Sequence, residues 1–415
     1  MSTRTVQEKH RTEIPAHVPA DRVFDVDMYA LDGIEDGFYE AWKRIQSDDI
    51  PDIIYTPLTG GHWIATRGDV IDEVYRNPDR FSSEVIFLPK EAGQKYAMVP
   101  TRMDPPEHTP YREILDRSLN HKQIQDAEAA VRQAAIELIE GFAADGKCDF
   151  AVQFASIYPV RVFLALCDLP MSDAAMLGEL ATNMTRPPGD TPSEQAKALD
   201  EANQGFFKYV EPIIEARRGS DRTDLISVMV NSKINGKPMD EDKVLGLISL
   251  LLLGGLDTVV NFLSFLMIYL AQHPDKVKEL SEGPEKLLRG TEEMFRRFPV
   301  VSDARMIAHD LTYRGVEMKK GDMILLPTAL HGLDEKSNEN PWEFDPGRRK
   351  IKHSTFGQGP HRCAGMHLAR LEVMIMLEEW FKRIPEFRLS PDAKPRYFPG
   401  IIAAVEGVPL IWDKK

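Results

Sequence analysis

Cysteine is scarce in this chain: its 415 residues include three, Cys148, Cys167 and Cys363. So few thiols, in an odd number, exclude a disulfide framework and fit a reducing compartment, where a special cysteine works as ligand or nucleophile. Positive charge is also short. The 51 Lys and Arg against 65 Asp and Glu leave a net charge of −14 with no basic tail. That argues against nucleic-acid binding, whose sequence-independent affinity rests on clustered cations at phosphates. Internal repeats, low-complexity tracts and a convincing linker are missing too. What remains is 43 % apolar, 28 % charged and 8 % aromatic, a composition that excludes a disordered, fibrous or solenoid chain. The length reads as one large, internally subdivided domain over residues 1–415 that can bury a sizeable cofactor.

The first twenty residues carry Arg4, Glu8, Lys9, Arg11 and Glu13 and no apolar stretch of signal-peptide length, so a cytoplasmic protein is expected. One segment challenges this. From Val244 to Ala271 the only charge is Asp257, and such a run is long enough to span a bilayer. An aspartate costs about 2.5–3.5 kcal/mol at a bilayer centre, Gly254-Gly255, Thr258 and Asn261 interrupt the apolar surface, and no aromatic or basic belt brackets the run. The reading is a buried central helix and no membrane span, with an acid and an alcohol at its midpoint that suggest chemistry.

Elsewhere, Ile53–Tyr55 and Trp63–Ala65 around Thr59-Gly60-Gly61 predict a β-hairpin. Apolar spacing predicts a helix over 127–142 and amphipathic surface helices over 204–218 and 276–289. Pro187-Pro188-Gly189 marks a loop and Asn235-Gly236 a tight turn. Short β-like runs lie between Leu311 and Leu326 and from Arg388 to Trp412. The fold class is mainly α with a minor β portion at both ends.

Chemistry concentrates in Phe356-Gly357-Gln358-Gly359-Pro360-His361-Arg362-Cys363-Ala364-Gly365. The glycines and proline impose a turned backbone, and a helix follows with Leu368, Leu371 and Ile375 on one face. Cys363 therefore sits at a helix N-terminus, where free N–H groups, the dipole, His361 and Arg362 favour a thiolate. A zinc site from His353, His361, Cys363 and His367 is possible, though the spacing resembles no closed four-ligand set. A lone thiolate in a glycine-rich loop suits a haem iron better. Cys148 and Cys167 read as small core residues.

This loop resembles the haem-binding signature of the cytochrome P450 family. Gly254-Gly255-Leu256-Asp257-Thr258 resembles that family's oxygen-activation segment, Glu293-Met294-Phe295-Arg296 its Glu-x-x-Arg pair, and Phe344 with Asp345-Pro346-Gly347-Arg348 the preceding loop. Alone, a Glu-x-x-Arg pair is weak, because most such pairs are solvated; in order with the cysteine loop it is specific. The resemblance implies a helical prism with small β-sheets, haem b held by Cys363, and catalysis with O2 assisted by Asp257 and Thr258. It also implies that His108, Arg112, Asp303, Arg305 and His361 lie around the haem carboxylates, with Phe356 beside the ligand loop.

Within the family, Met103-Asp104-Pro105-Pro106-Glu107, Met184-Thr185-Arg186-Pro187 and Gly255 to Ser264 are similar to the bacterial camphor 5-monooxygenase branch. That likeness implies a small apolar ketone substrate, with Tyr96 donating to the ketone and Phe87, Thr101, Thr185, Leu250, Leu253, Val301, Ile401 and Ile402 shaping an apolar pocket. It also implies electrons from an acidic [2Fe-2S] ferredoxin with its NADH-dependent reductase, and allows a potassium ion on the carbonyls of Glu84, Gly93, Gln94 and Tyr96. Val85, Ile86 and Gly178 depart from that branch and put pocket edge and gating in doubt. A non-catalytic haem-thiolate sensor is the competing class, disfavoured by Asp257-Thr258. The run Arg348, Arg349, Lys350, Lys352, His353, His361, Arg362, joined by Arg112, is expected to form a basic patch for the electron donor.

Overall fold

A computed structural model describes residues 11–90, 98–185, 187–189 and 191–414. Its helices are α1 (Phe38–Lys43), α2 (Gly68–Arg76), α3 (His108–Ser118), α4 (His121–Ala143), α5 (Tyr158–Leu166), α6 (Ala174–Thr185), α7 (Pro192–Arg217), α8 (Leu225–Val230), α9 (Glu241–Gln272), α10 (Pro274–Leu280), α11 (Pro284–Arg297), α12 (Thr328–Gly332) and α13 (Met366–Arg383). The mainly helical expectation is met.

The Val244–Ala271 run becomes α9, whose 32 residues extend about 48 Å at 1.5 Å per residue. Glu241 and Asp242 occupy its positive first turn, and His273 ends it before Pro274. It packs against α5, α6, α7, α8, α10 and α13, so its apolar surface is spent on the protein core. Local signals set other boundaries. Asn120 caps α4 through Lys122 N and Gln123 N at 2.9 and 3.1 Å. Thr191 and Glu194 form a capping box on α7, which takes in the helix expected over 204–218 and starts earlier. The single helix expected over 276–289 is two, α10 and α11. Gly283, at φ +157°, and Pro284 at the first position of α11 break it, a pair that amphipathic spacing alone does not register.

The largest sheet runs β1–β2–β10–β7–β3, from β1 (Ile53–Thr56), β2 (His62–Ala65), β3 (Phe81–Ser82), β7 (Ser302–Ile307) and β10 (Met323–Pro327). The expected hairpin pairs Ile53 with Ala65. β10 joins β2 in parallel through Ile324 and Trp63, and β7 antiparallel through Ile324 and Arg305. Small pieces complete the β portion: β4 (Lys147–Asp149) with β14 (Pro409–Ile411) and β11 (Arg388–Leu389); β5 (Lys233–Ile234) with β6 (Lys237–Pro238) across Asn235-Gly236; β8 (Leu311–Tyr313) with β9 (Val316–Met318); and β12 (Arg396–Phe398) with β13 (Ala404–Glu406). β4 lies mid-sequence, so the β portion is not confined to the ends.

Candidate functional site

The cysteine loop is shaped by its glycines. Gly357 and Gly359 adopt φ of +62° and +65°, and a Cβ at Gly359 would lie 2.7 Å from the Tyr75 carbonyl. Only glycine lets the loop press on the end of α2. The Cys363 N–H donates to Phe356 O at 2.8 Å, and α13 begins three residues on. Cys148 and Cys167 are buried, as expected of core residues, whereas Cys363 presents its side chain to open space. Burial within the surrounding protein nevertheless pushes the Cys363 thiol up, although the Gly365 N–H and the charges of Arg112, Arg370 and Arg362 oppose this. Helix end and arginines therefore favour the thiolate while desolvation opposes it.

Behind the loop, Phe356 packs on Phe295 at 4.7 Å between centroids, and Phe295 stacks on Phe262 of α9 at 4.5 Å. Glu293 and Arg296 are not the solvated pair common on helices: both side chains are 0 % exposed. Arg296 forks onto Glu293 with two bonds of 2.7 Å and donates to the carbonyls of Gly332, Pro341 and Glu343 at 2.6, 2.7 and 3.0 Å. Arg348 Nε adds a second cation to Glu293 at 3.0 Å. A buried and a half-buried guanidinium on one carboxylate, each with its donors engaged, satisfy the condition for keeping that charge inside a protein.

Beside the cysteine, His108 and His361 lie 4.3 Å apart between ring centroids. Arg112 reaches the same loop, donating to Pro360 O at 3.2 Å and to Asp116 at 2.8 Å. Burial, with the nearby Arg305, His108 and Arg112, pushes His361 down to about 3, so it is a neutral donor and not the positive charge its sequence position suggested. Its Nε2 is buried without a partner among the described residues. On β7, Arg305 pairs with Asp303 at 3.0 Å and stacks over Tyr75, whose hydroxyl donates to Asp303. Tyr75 was missed from sequence; its only signal is helical position on α2, which says nothing about the loop it meets.

On α9, Asp257 is buried, and Asn261 Nδ2 donates to its carbonyl at 2.7 Å and its carboxylate at 3.1 Å. The Thr258 hydroxyl donates to Gly254 O at 2.9 Å. The helix runs unbroken through Gly254-Gly255, and the missing side chains leave an opening there, since a Cβ on either glycine meets nothing within 4 Å. Leu250 and Leu253 share the half-buried stretch. Val301 bridges Ile402, and Ser302 N donates to Ile401 O at 2.8 Å. Ile86 O accepts from Ala304 N at 2.9 Å, tying half-buried Phe87 to the same corner. Val85 and Ile86 are themselves core residues, and Thr101 is half-buried. Tyr96, Gly93, Gln94, Arg186 and the Thr185 side chain lie outside the described residues. The Glu84 carbonyl accepts Arg102 Nε at 2.8 Å, so a guanidinium already engages one of the four carbonyls considered for potassium. Gly178 packs near Val160, 3.7 Å from its Cγ2 to a built Cβ.

Residues 184–397, more than half of the chain, match the cytochrome P450 family model. The chain belongs to the cytochrome P450 family. Its sequence is 31 % identical to linalool 8-monooxygenase of Pseudomonas putida over 80 % of this chain and 86 % of that protein. The crystal structure of CYP101J2 superposes with a TM-score of 0.89 at 41 % identity, covering 97 % of this chain and all of that one. That of CYP101C1 does so with the same score and coverage at 35 %. The fold is therefore the P450 fold, and the cofactor of a P450 is thiolate-ligated haem.

The residues present fit that group. A haem needs one sulfur, donors for two carboxylates and a flat apolar face. The site offers exposed Cys363, the unpartnered His361 Nε2 beside Arg112, the Arg305–Asp303 pair, and the side-chain-free face of α9. The zinc alternative fails, as no group of three or more His, Cys, Asp or Glu is placed to hold a metal ion among the described residues. The expected basic patch is narrower than its sequence run: Arg348 is drawn into the Glu293 network and His361 is neutral. Arg349, Lys350, Lys352 and Arg362 stay exposed, and Arg349, Lys352 and Arg362 border a hollow of 680 Å³ that Arg76, Arg370, Asp69, Asp72 and Glu292 also line.

Proposed function

We propose that this chain hydroxylates camphor, at its 5-position, or a closely similar small terpenoid ketone, using O2 and two electrons from an acidic [2Fe-2S] ferredoxin reduced by an NADH-dependent reductase. One observation carries the reading: an acid–alcohol pair, Asp257 and Thr258, sits beside a glycine-opened face of an otherwise apolar helix. A gas or haem sensor has no use for that pair. A terpenoid substrate is supported by the aliphatic side chains expected at the pocket and by the likeness to a linalool-oxidising relative.

Haem bound here supplies dioxygen activation: one oxygen atom enters a C–H bond, the other leaves as water, and two electrons and two protons are consumed. Cys363 supplies the sulfur that holds the iron. His361, Arg112 and Arg305 donate to the carboxylates, the arginines as planar forks. Phe87, Thr101, Thr185, Leu250, Leu253, Val301, Ile401 and Ile402 shape the pocket and exclude water, while the Tyr96 hydroxyl is the polar anchor that fixes the ketone's orientation. Thr258 and Asp257 hold and pass protons toward the open side of α9, with Asn261 restraining the carboxylate. Arg349, Lys350, Lys352 and Arg362 steer the acidic donor to the cysteine side, so reduction by the donor slows as salt rises.

The test is spectral. Adding camphor to the purified ferric protein shifts the Soret band to the high-spin form, and analogues lacking the ketone bind more weakly. No shift at saturating camphor ends the substrate reading and turns the search to other terpenoids such as ionones. Absence of oxygenated product from a reconstituted NADH, reductase and ferredoxin system across such substrates would favour the sensor.

A further inference from the structure

We propose that Arg370, clasped by Glu292, is a positioning residue that pins Phe356 against the cysteine loop and holds a cation at that loop, setting the reduction potential of the haem. This rests on the reading of Cys363 as the haem ligand. Glu292 and Glu293 are neighbours on α11 but point to different partners. Glu293 turns inward to Arg296 and Arg348, while Glu292 turns to α13 and takes a bidentate fork from Arg370 Nε and Nη2, the latter at 3.0 Å. Arg370 Nη1 donates to Met366 O at 3.2 Å. Held at three points, the guanidinium lies 4.8 Å from the Phe356 ring centroid and 5.9 Å from that of Phe295.

Phe356 is the residue whose carbonyl accepts the Cys363 N–H. The cation therefore lies over the ring of the residue whose backbone holds the ligand, and Phe295 packs tilted against the same ring. The pair is only partly open to water, at 18 % and 33 % exposure, so its field is screened less than that of a surface ion pair. Burial pulls the Glu292 carboxyl up, but the bond and charge of Arg370 hold it below its usual range, so both partners are ionised.

Electrostatics then gives two signs. One-electron reduction of the ferric site adds negative charge, which a nearby cation favours and a nearby anion disfavours. Arg370→Gln removes the cation and lowers the potential; Glu292→Gln removes the counter-charge and raises it. Each shift is about threefold to tenfold in the equilibrium constant, up to ~59 mV for a one-electron couple. Arg370→Lys keeps the charge and stays closer to wild type than Arg370→Gln.

The experiment is a spectroelectrochemical titration of each haem-loaded protein with small mediators and no ferredoxin, which separates the clasp from donor docking. The ferrous carbon monoxide complex is recorded alongside. If wild type lacks the red-shifted Soret band of thiolate ligation, the reading of Cys363 falls. If the band is present but the two glutamine variants shift in the same direction, or neither shifts by twofold, the clasp is overturned. Opposite shifts with the band retained establish it. Should Arg370→Gln load no haem, Glu292→Gln alone decides, and an unchanged potential there refutes the proposal.

Discussion

The two sides of the proposed haem site are built from opposite materials. The cysteine side is polar, charged and saturated with bonds: Arg296 and Glu293 at 0 % exposure, Arg348 on the same carboxylate, Arg370 on Glu292, and a loop pinned by Gly357, Gly359 and a backbone bond to Cys363. The α9 side is apolar and open, with Gly254 and Gly255 facing empty space and a single acid–alcohol pair. A metal ligand has one correct position, and fully satisfied buried charge specifies position sharply. A substrate pocket must admit a hydrocarbon, and aliphatic walls do so without demanding partners.

Removing one charge on the cysteine side is therefore expected to have the largest effect. Arg296→Ala leaves Arg348 as the one guanidinium on Glu293 and takes a donor from each of the carbonyls of Gly332, Pro341 and Glu343. Breaking a buried pair costs about 3–5 kcal/mol, a large part of a typical stability of roughly 5–15 kcal/mol. Thermal melts and yield of haem-loaded protein measure this, and a wild-type melting temperature would erase the contrast. Next comes the open side. Gly254→Val adds atoms where the protein has none, and valine is the better helix former, so the fold keeps its stability. The filled face instead weakens substrate binding by about tenfold, or ~1.4 kcal/mol, read by the Soret titration. Unchanged affinity would mean that this face of α9 does not border the substrate.

The same contrast decides what could be read from sequence. The α9 side was legible because it is continuous: acid, alcohol and glycines stand within five residues, and one helix turns that spacing into geometry. The cysteine loop was legible for the same reason. The Glu293 network was not, since Arg296 finds carbonyls 36 to 47 residues away and Arg348 comes from a segment that looked like solvent-facing basic surface. The imidazole of His361 was misjudged because neighbouring charges can be counted from sequence, whereas desolvation cannot. Gly283-Pro284 shows a milder failure: the amphipathic stripe continued across a break that backbone chemistry imposed.

On the open side, Thr258→Ala sharpens the role of the pair. The hydroxyl donates within the helix to Gly254 O, whose loss matters little on an already bonded helix. Folding is unchanged, and product formed per NADH falls by about tenfold. That is less than the ~10²–10⁴-fold of a sole acid–base group, because Asp257 remains. Full coupling in the variant would remove Thr258 from the proton path and make the two sides equally inert chemically.

A stability effect without an effect on turnover is expected at another unpartnered group of the saturated side. Glu372, on α13, is buried, and its Oε2 has no partner among the described residues. Burial pushes its carboxyl up to about 8. A raised carboxyl means that the native state keeps a proton which the unfolded chain releases above roughly pH 4.3. Stability is therefore fully present below that pH, declines as pH rises toward about 8, and levels off above. Glu372→Gln copies the protonated form at every pH. It is expected to match wild type near pH 4 and to gain about 1–3 kcal/mol at pH 8, the cost of a buried unsatisfied group, with turnover unaltered. Melting temperatures of the two haem-loaded proteins across this range are the measurement. Parallel curves would show that the Glu372 carboxylate finds a partner when ionised.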